Sequence, residues 1–348
     1  MVVAVASGDV MAKISNYRMI MLFLLCASLI TICIYINKTM RIESVQGGTS
    51  SPYVYQEILT NESDKIVLTL PGYIHRKEYV SEICRANGLK GDATNLYLEN
   101  KNLLDHILVD EKHQLLYCYV PKVACTNWKR IFMMLTGKAN VTNVLDIPAS
   151  DAHGQGILMS LSNYTADEIE FYINKFTKFV FVRHPFERLL SAYRNKLEQH
   201  YLSSQYFQMR FGRHIVKHYR PNPSKDSLIK GDDVTFKEFV AYLTSPENAF
   251  NEHWKPIFDL CHLCLIDYDI IGKYETLYED ADFILKQIGQ SHIIFPHAKK
   301  PSRTKSKAKD YYSTLSQKAI SDLYNIYKMD FELFEYTLHD FLSETSTV

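Results

Sequence analysis

The chain has no excess of either charge: 39 Lys and Arg residues balance 39 Asp and Glu, and the formal net charge is zero. Whole-chain electrostatics therefore gives no reason to expect a nucleic-acid partner, and any pull on an anion must come from local clusters. No segment repeats at a fixed period. The Walker pattern GxxxxGK[ST] is missing, so an ordinary triphosphate loop is not expected. A kinase or nucleotide hydrolase would also want metal-binding acids beside its loop, and no kinase pattern is present. One CxxC occurs, Cys261 to Cys264. No second pair completes a zinc site, so disulfide use is the better reading.

What is present suits a globular protein: 348 residues, 47% hydrophobic and 22% charged. Met19 to Ile36 is an 18-residue run without charge, at the short end of what spans a bilayer as a helix. A cleaved secretory signal is the alternative, and the apolar stretch beyond Ser28 favours an uncleaved anchor. Flanking charges are nearly balanced and do not orient it. N-x-S/T triplets at Asn37, Asn61, Asn140 and Asn163 are consistent with a lumenal body. The expected layout is a cytoplasmic tail (1–18), a signal-anchor (19–36), a lumenal stem and loosely packed lead-in (37–105) and a catalytic domain (106–348). Of the seven cysteines, Cys84, Cys118, Cys125, Cys261 and Cys264 would be lumenal, where disulfides persist. Five is odd, and Cys125 is taken as the free one. The other four allow three connectivities.

Leu115 to Val120 and Phe179 to Val182 read as buried strands, and Asp269 to Gly272 as a third. Helices are expected over 126–136, from Thr165, over 185–199, from Thr235, up to Gly289 and over 316–327. Thr165-Ala-Asp-Glu168 and Thr235-Phe-Lys-Glu238 are capping-box patterns. Strands alternating with helices predict an α/β fold with a mostly parallel sheet. Ligands then bind beyond the carboxyl ends of the strands.

Two segments lie there. In Pro121-Lys122-Val123-Ala124-Cys125-Thr126-Asn127, a small-residue loop feeds a helix whose N–H groups and dipole suit an anion. Lys122 adds a cation and Thr126 a hydroxyl. The loop has no glycine, so it fits a smaller group than a triphosphate. A surface lysine beside a capped helix is the plain alternative. In Arg183-His184-Pro185-Phe186-Glu187-Arg188-Leu189-Leu190-Ser191, Arg183 ends a strand and Ser191 lies two turns along the next helix. Together they can bind a second phosphate. Arg188 is expected in an ion pair with a carboxylate, and Tyr193 in the core.

PKVACTNWKR, followed 61 residues later by RHPFERLLSAYRNK, resembles the 5′-phosphosulfate loop and 3′-phosphate motif of sulfotransferases. The wording is close to the Golgi carbohydrate branch that 4-O-sulfates chondroitin, dermatan and terminal N-acetylgalactosamine. CRAN, YCYV, KGDDVTFKEFVAYL, FNEHW and DYDIIGKYETL resemble that branch too, over about residues 80–335. The resemblance implies a P-loop-like sulfotransferase fold, a mostly parallel central sheet flanked by helices and preceded by a single transmembrane helix. It implies 3′-phosphoadenosine 5′-phosphosulfate (PAPS) as donor and no metal. Pro121 to Asn127 would then surround the 5′-phosphosulfate, and Arg183 through Ser191 the 3′-phosphate. Lys122 would stabilise the leaving group.

A base must take the acceptor hydroxyl's proton, and histidine is the usual candidate. Of 13 histidines, His153 lies between the two motifs, where the resemblance implies the base, and it is the expected base. His253 is second, with structural packing beside Trp254 as its plainer role. Two basic clusters occur: Lys299, Lys300, Arg303, Lys305, Lys307 and Lys309, and then Arg210, Arg213, Lys217 and Arg220. Charge runs are usually solvated faces. The resemblance implies a glycosaminoglycan or glycoprotein glycan acceptor, lumenal placement in the Golgi membrane and chondroitin as the favoured substrate. A glycan-binding protein with a decayed site is the non-enzymatic alternative, against which Lys122, Thr126, Arg183 and Ser191 stand intact.

Overall fold

The sheet that places the site has four strands, β1 (Ile107–Asp110), β2 (Leu115–Cys118), β3 (Thr177–Val182) and β4 (Ile270–Lys273), in the order β1-β2-β3-β4. The computed structural model describes residues 71–339 except 247, 249 and 298–303. The expected tail, anchor and first part of the stem lie outside the described residues, with Cys26, Cys33, Asn37 and Asn61. So do Lys299, Lys300 and Arg303. Among the described residues no helix is long and apolar enough to cross a membrane.

β2, β3 and β4 run parallel, while β1 pairs antiparallel with β2. The sheet is therefore mixed, and β1, too short to stand out in the sequence, is the strand that was not expected. The three expected strands are present. β2 and the last four residues of β3 are buried as continuous apolar runs, as in a sheet covered on both faces, and Lys178 before them is buried with its Nζ donating to the Phe176 carbonyl. Tyr117 stacks on Phe179 with centroids 4.6 Å apart, and Trp128 tilts against Phe179 at 4.8 Å.

The helices that frame the site are α1 (Pro71–Ala86), α2 (Cys125–Leu135), α3 (Ala166–Lys175), α4 (Pro185–Tyr193), α5 (Leu202–Phe207), α6 (Arg213–Tyr219), α7 (Phe236–Leu243), α8 (Leu277–Gln287), α9 (Thr304–Tyr312) and α10 (Gln317–Leu333). Both capping boxes form. Thr165 and Glu168 exchange bonds at the start of α3, and Thr235 and Glu238 do the same at α7. The helix expected over 185–199 is α-helical only to Tyr193 and continues as a π turn over Arg194–Glu198.

The end of the lead-in is fastened to the body rather than loosely packed. Asp280 of α8 is 3% exposed and accepts from Tyr73 Oη at 2.6 Å and Arg76 Nη1 at 2.8 Å, both on α1. Its second oxygen also accepts from the Lys273 amide and Thr276 Oγ1, each at 2.7 Å. Disulfides join Cys84 to Cys264 and Cys118 to Cys261, which selects one of the three connectivities. Cys125 is the free, buried cysteine among the described residues. These ties span 143 to 207 residues, so no local pattern announces them.

Asp280→Ala should strand the Arg76 guanidinium and lower unfolding stability by about 3 kcal/mol or more. The control Asp282→Ala, removing an exposed pair with Lys286, should cost about 0.5 kcal/mol or less. Chemical denaturation of both variants measures the difference.

Candidate active site

β2 ends at Cys118, and residues 119–124 carry the chain to α2. Lys122 and Ala124 have positive φ (69° and 57°) without being glycine. Such residues each cost about 1–3 kcal/mol and persist where surrounding contacts hold them. Ala124 is also the N-cap of α2, and no side chain caps this helix. Asn127 N already donates to the Ala124 carbonyl at 3.1 Å, whereas the N–H groups of Cys125 and Thr126 have no intrahelical acceptor and sit at the positive end of the dipole. A turn of this kind is an anion-binding concavity.

β3 ends at Val182, which sets Arg183 at the sheet's carboxyl edge. Its Nε and Nη2 donate to Glu187 Oε2 at 3.3 and 3.2 Å, and Nη1 donates to the Lys122 carbonyl at 3.3 Å. The guanidinium lies 4.3 Å from the ring centroid of Tyr274, the first residue after β4. Thus three successive strand ends meet at one side chain. α4 then carries Ser191, and the π turn carries Asn195 and Lys196. Asn195 Oδ1 accepts from Lys122 Nζ at 3.1 Å.

These parts enclose a cleft of about 370 Å³. Of the expected residues, Pro121, Lys122, Ala124, Cys125, Thr126, Asn127, His153, Arg183 and Ser191 line it, and His253 does too. Among the described lining residues there are three Lys or Arg side chains (Lys122, Arg183, Lys196) and no carboxylate.

The rest of the expected set stands behind the wall. Val123 is fully buried, and Phe186, Leu189 and Leu190 are core. Pro185 opens α4, and His184 caps it by accepting from the Phe186 amide at 3.2 Å. Glu187 holds Arg183 from behind. Tyr193 is buried and donates to the Val234 carbonyl at 2.7 Å. Arg188 departs from expectation. Its bonds go to three carbonyls: Pro121 (3.0 Å), Lys255 (2.6 Å) and Glu252 (2.9 Å). Its contacts are the irregular backbone on two sides of the cleft, which needs donors that no strand partner supplies. Arg220, expected in a basic cluster, is neutralised by Glu238 and Asp233, each at 2.6 Å.

Sequence reading missed Asn195, Lys196, Tyr274, Leu277, Tyr278, Phe295 and Pro296, which complete the lining. The strand-end rule that located Arg183 applies equally to Tyr274. The π turn that presents Asn195 and Lys196 had no such signal, although π turns recur at functional sites.

His153 ends the short helix Ala149–Ala152, with Nε2 3.0 Å from Thr126 Oγ1. Burial, then Lys129, Lys196 and Arg130, push its pKa down, so its neutral form prevails at neutral pH. His253 Nδ1 is 2.7 Å from Asn251 Oδ1, which as an acceptor fixes the proton on Nδ1 and leaves Nε2 with a lone pair. Its pKa is pushed down to about 2, by burial first and then by Lys196 and Lys122. Lys122 is pushed down to about 8; burial dominates, and Lys196 and Arg183 add to it against the opposing Cys125.

The Sulfotransferase family profile matches residues 105–337. Carbohydrate sulfotransferase 11 of Rattus norvegicus is 44% identical over 303 residues, covering 85% of this chain and 84% of its own. Carbohydrate sulfotransferase 14 of Danio rerio is 41% identical, covering 77% and 72%. Carbohydrate sulfotransferase 9 of Homo sapiens is 36% identical, covering 75% and 59%. No solved structure matches the chain.

Arg188→Met keeps the bulk of the side chain and removes its donors, leaving three carbonyls unsatisfied. Stability should fall by about 3 kcal/mol or more. Arg188→Lys, a point charge without the fork, should recover only part of it. Denaturant titration of the two variants tests this.

Proposed function

We propose, from the premise that this chain belongs to the sulfotransferase family and is a carbohydrate sulfotransferase, that it moves a sulfuryl group from PAPS to the 4-hydroxyl of N-acetylgalactosamine in chondroitin. The family implies PAPS as donor. The observation that carries the reading is the cleft itself, where three cations and, among the described lining residues, no carboxylate stand at the meeting of three strand ends. Its residues fit a nucleotide with two separate anionic groups. Lys122, Thr126 and the first N–H groups of α2 suit the 5′ end, and Arg183 with Ser191 suits a 3′-phosphate. Tyr274, Tyr278 and Phe295 offer flat faces to a base. We further read the enzyme as a type II Golgi membrane protein whose catalytic domain, residues 106–348, is lumenal. The relatives' names and the resemblance to the 4-O-sulfating branch support the carbohydrate acceptor and the position.

Bound PAPS supplies an activated sulfuryl group and a leaving group that gains charge on its bridging oxygen. Lys122 and the α2 N–H groups stabilise charge at that end of the cleft, already oriented before reaction. Asn195 steadies the Lys122 ammonium. His153, neutral and lining the cleft, takes the proton of the acceptor hydroxyl. The walls hold donor and acceptor in line, and that alignment provides much of the rate in such transfers.

Labelled PAPS offered with desulfated chondroitin, dermatan and an N-acetylgalactosamine-terminated glycan tests the reading. Label on the 4-position in chondroitin is expected. Label on dermatan, the terminal sugar or glucuronic acid instead would overturn the acceptor, and a folded protein that does not bind PAPS would overturn the reaction. His153→Ala should lower turnover by orders of magnitude while PAPS still binds; near-normal turnover would refute its assignment.

The pH profile of kcat/KM, which reports the free enzyme, should be bell-shaped. Its acid limb should lie below the ordinary histidine value of about 6.5, because His153 is shifted down and must be neutral. Its alkaline limb should lie near 8, because Lys122 must be protonated and loses its proton as pH rises through about 8.

A further inference from the structure

Beyond the cleft, α5, a π turn (Gln208–Gly212) and α6 form one continuous helical run from Leu202 to Tyr219. Its first turns are fastened to the cleft wall. Ser204 Oγ donates to the Asn195 carbonyl at 2.7 Å. The Phe207 ring lies 4.9 Å from His253 and 4.4 Å from Lys196 Nζ. From Phe207 to Lys217 the run advances about 15 Å along its axis.

One side of this run combines exposed apolar surface with cations. Tyr206 is 56% exposed and Met209 53%. Arg210 Nη1 donates to Tyr206 Oη at 2.6 Å. Arg213 lies between two adjoining grooves, of about 520 and 280 Å³, the larger also lined by His214, Lys217 and His218. The backbones of Gly212 and Gly231 pack so closely that a Cβ on Gly212 would sit 1.9 Å from the Gly231 oxygen, which fixes the run against its neighbour. Arg210, Arg213 and Lys217 form no salt bridge with a carboxylate among the described residues, unlike Arg220. Across both grooves the carboxylate among the lining residues is Asp232, which faces His200 at 3.9 Å.

We infer that this ridge binds the part of an anionic glycan polymer that lies beyond the reacting sugar. The inference rests on the carbohydrate acceptor proposed above and extends it to a distal subsite. Cations left unpaired at intervals of three or four residues match a polymer whose acid groups recur at fixed spacing. An exposed aromatic ring at the cleft end gives a face for the apolar side of a sugar. Arg210 and Lys217 are about 10 Å apart along the axis, enough to meet charges on successive repeats rather than on one. Steering by such a stripe raises encounter with long acceptors and weakens with salt.

The test compares the full chain with Arg210→Ala/Lys217→Ala, and with the same pair plus Arg213→Ala. Each is assayed on long desulfated chondroitin and on a disaccharide, a single repeat that carries one acid group. The double variant guards against any folding defect from Arg213, which is partly buried. KM for the polymer should rise about tenfold and lose much of its salt dependence, with kcat and the disaccharide KM unchanged. An unchanged polymer KM, or equal rises for both lengths, would overturn the inference. Parent protein that transfers to neither length would instead refute the reaction reading on which it rests.

Discussion

The site depends on one buried cation that takes no part in lining it. Arg188 donates to the carbonyls of Pro121, Glu252 and Lys255, and so ties the loop before α2 to the segment that carries His253. Two more side chains complete the fastening of that segment. Asp330 accepts from the amides of Ile257 and Phe258, each at 2.8 Å, and Tyr327 donates to the Trp254 carbonyl at 2.6 Å. Residues 252–258 have no strand partner for these backbone groups. Burying them unsatisfied would cost more than the segment's packing returns, so α4 and α10 supply the partners. The geometry of the cleft is thus a consequence of hydrogen-bond satisfaction in the core.

Electrostatics then follows from placement. The chain is neutral overall, yet its cleft collects Lys122, Arg183 and Lys196, with no carboxylate among the described lining residues. Glu187, outside the lining, bonds the Arg183 guanidinium, and Glu252 acts on Lys196. Burial of three cations together lowers the affinity of Lys122 for its proton, an arrangement that an anion would relieve. The same logic divides the basic cluster of Arg210, Arg213, Lys217 and Arg220. Arg220 is consumed by Asp233 and Glu238 and serves the fold, whereas Arg210, Arg213 and Lys217 form no salt bridge among the described residues.

Much of this was legible from the sequence because the informative residues sit at element ends. Strand ends located Lys122 and Arg183, and both capping boxes marked true helix starts. Cys125 was identified as the free cysteine by parity and place. What escaped was long-range or irregular. Arg188 meets carbonyls 64 to 67 residues away, where an ion pair with a carboxylate was the expectation. Asn195 and Lys196 reach the cleft through a π turn, which breaks the helical period used to assign faces. β1 is four residues long, and α1 is held by an ionic tie to Asp280 rather than by a strong apolar stripe.

Cys125 offers the most direct measurement. Its thiol lies on the cleft wall between the loop and α2, and among the described residues it is the free cysteine, the other four being held in disulfides. Site-resolved alkylation of the native protein, with and without adenosine 3′,5′-bisphosphate, asks whether the nucleotide occupies this cleft. The account predicts strong protection of Cys125 that persists at raised salt. An alkylation rate unchanged by saturating nucleotide would contradict it.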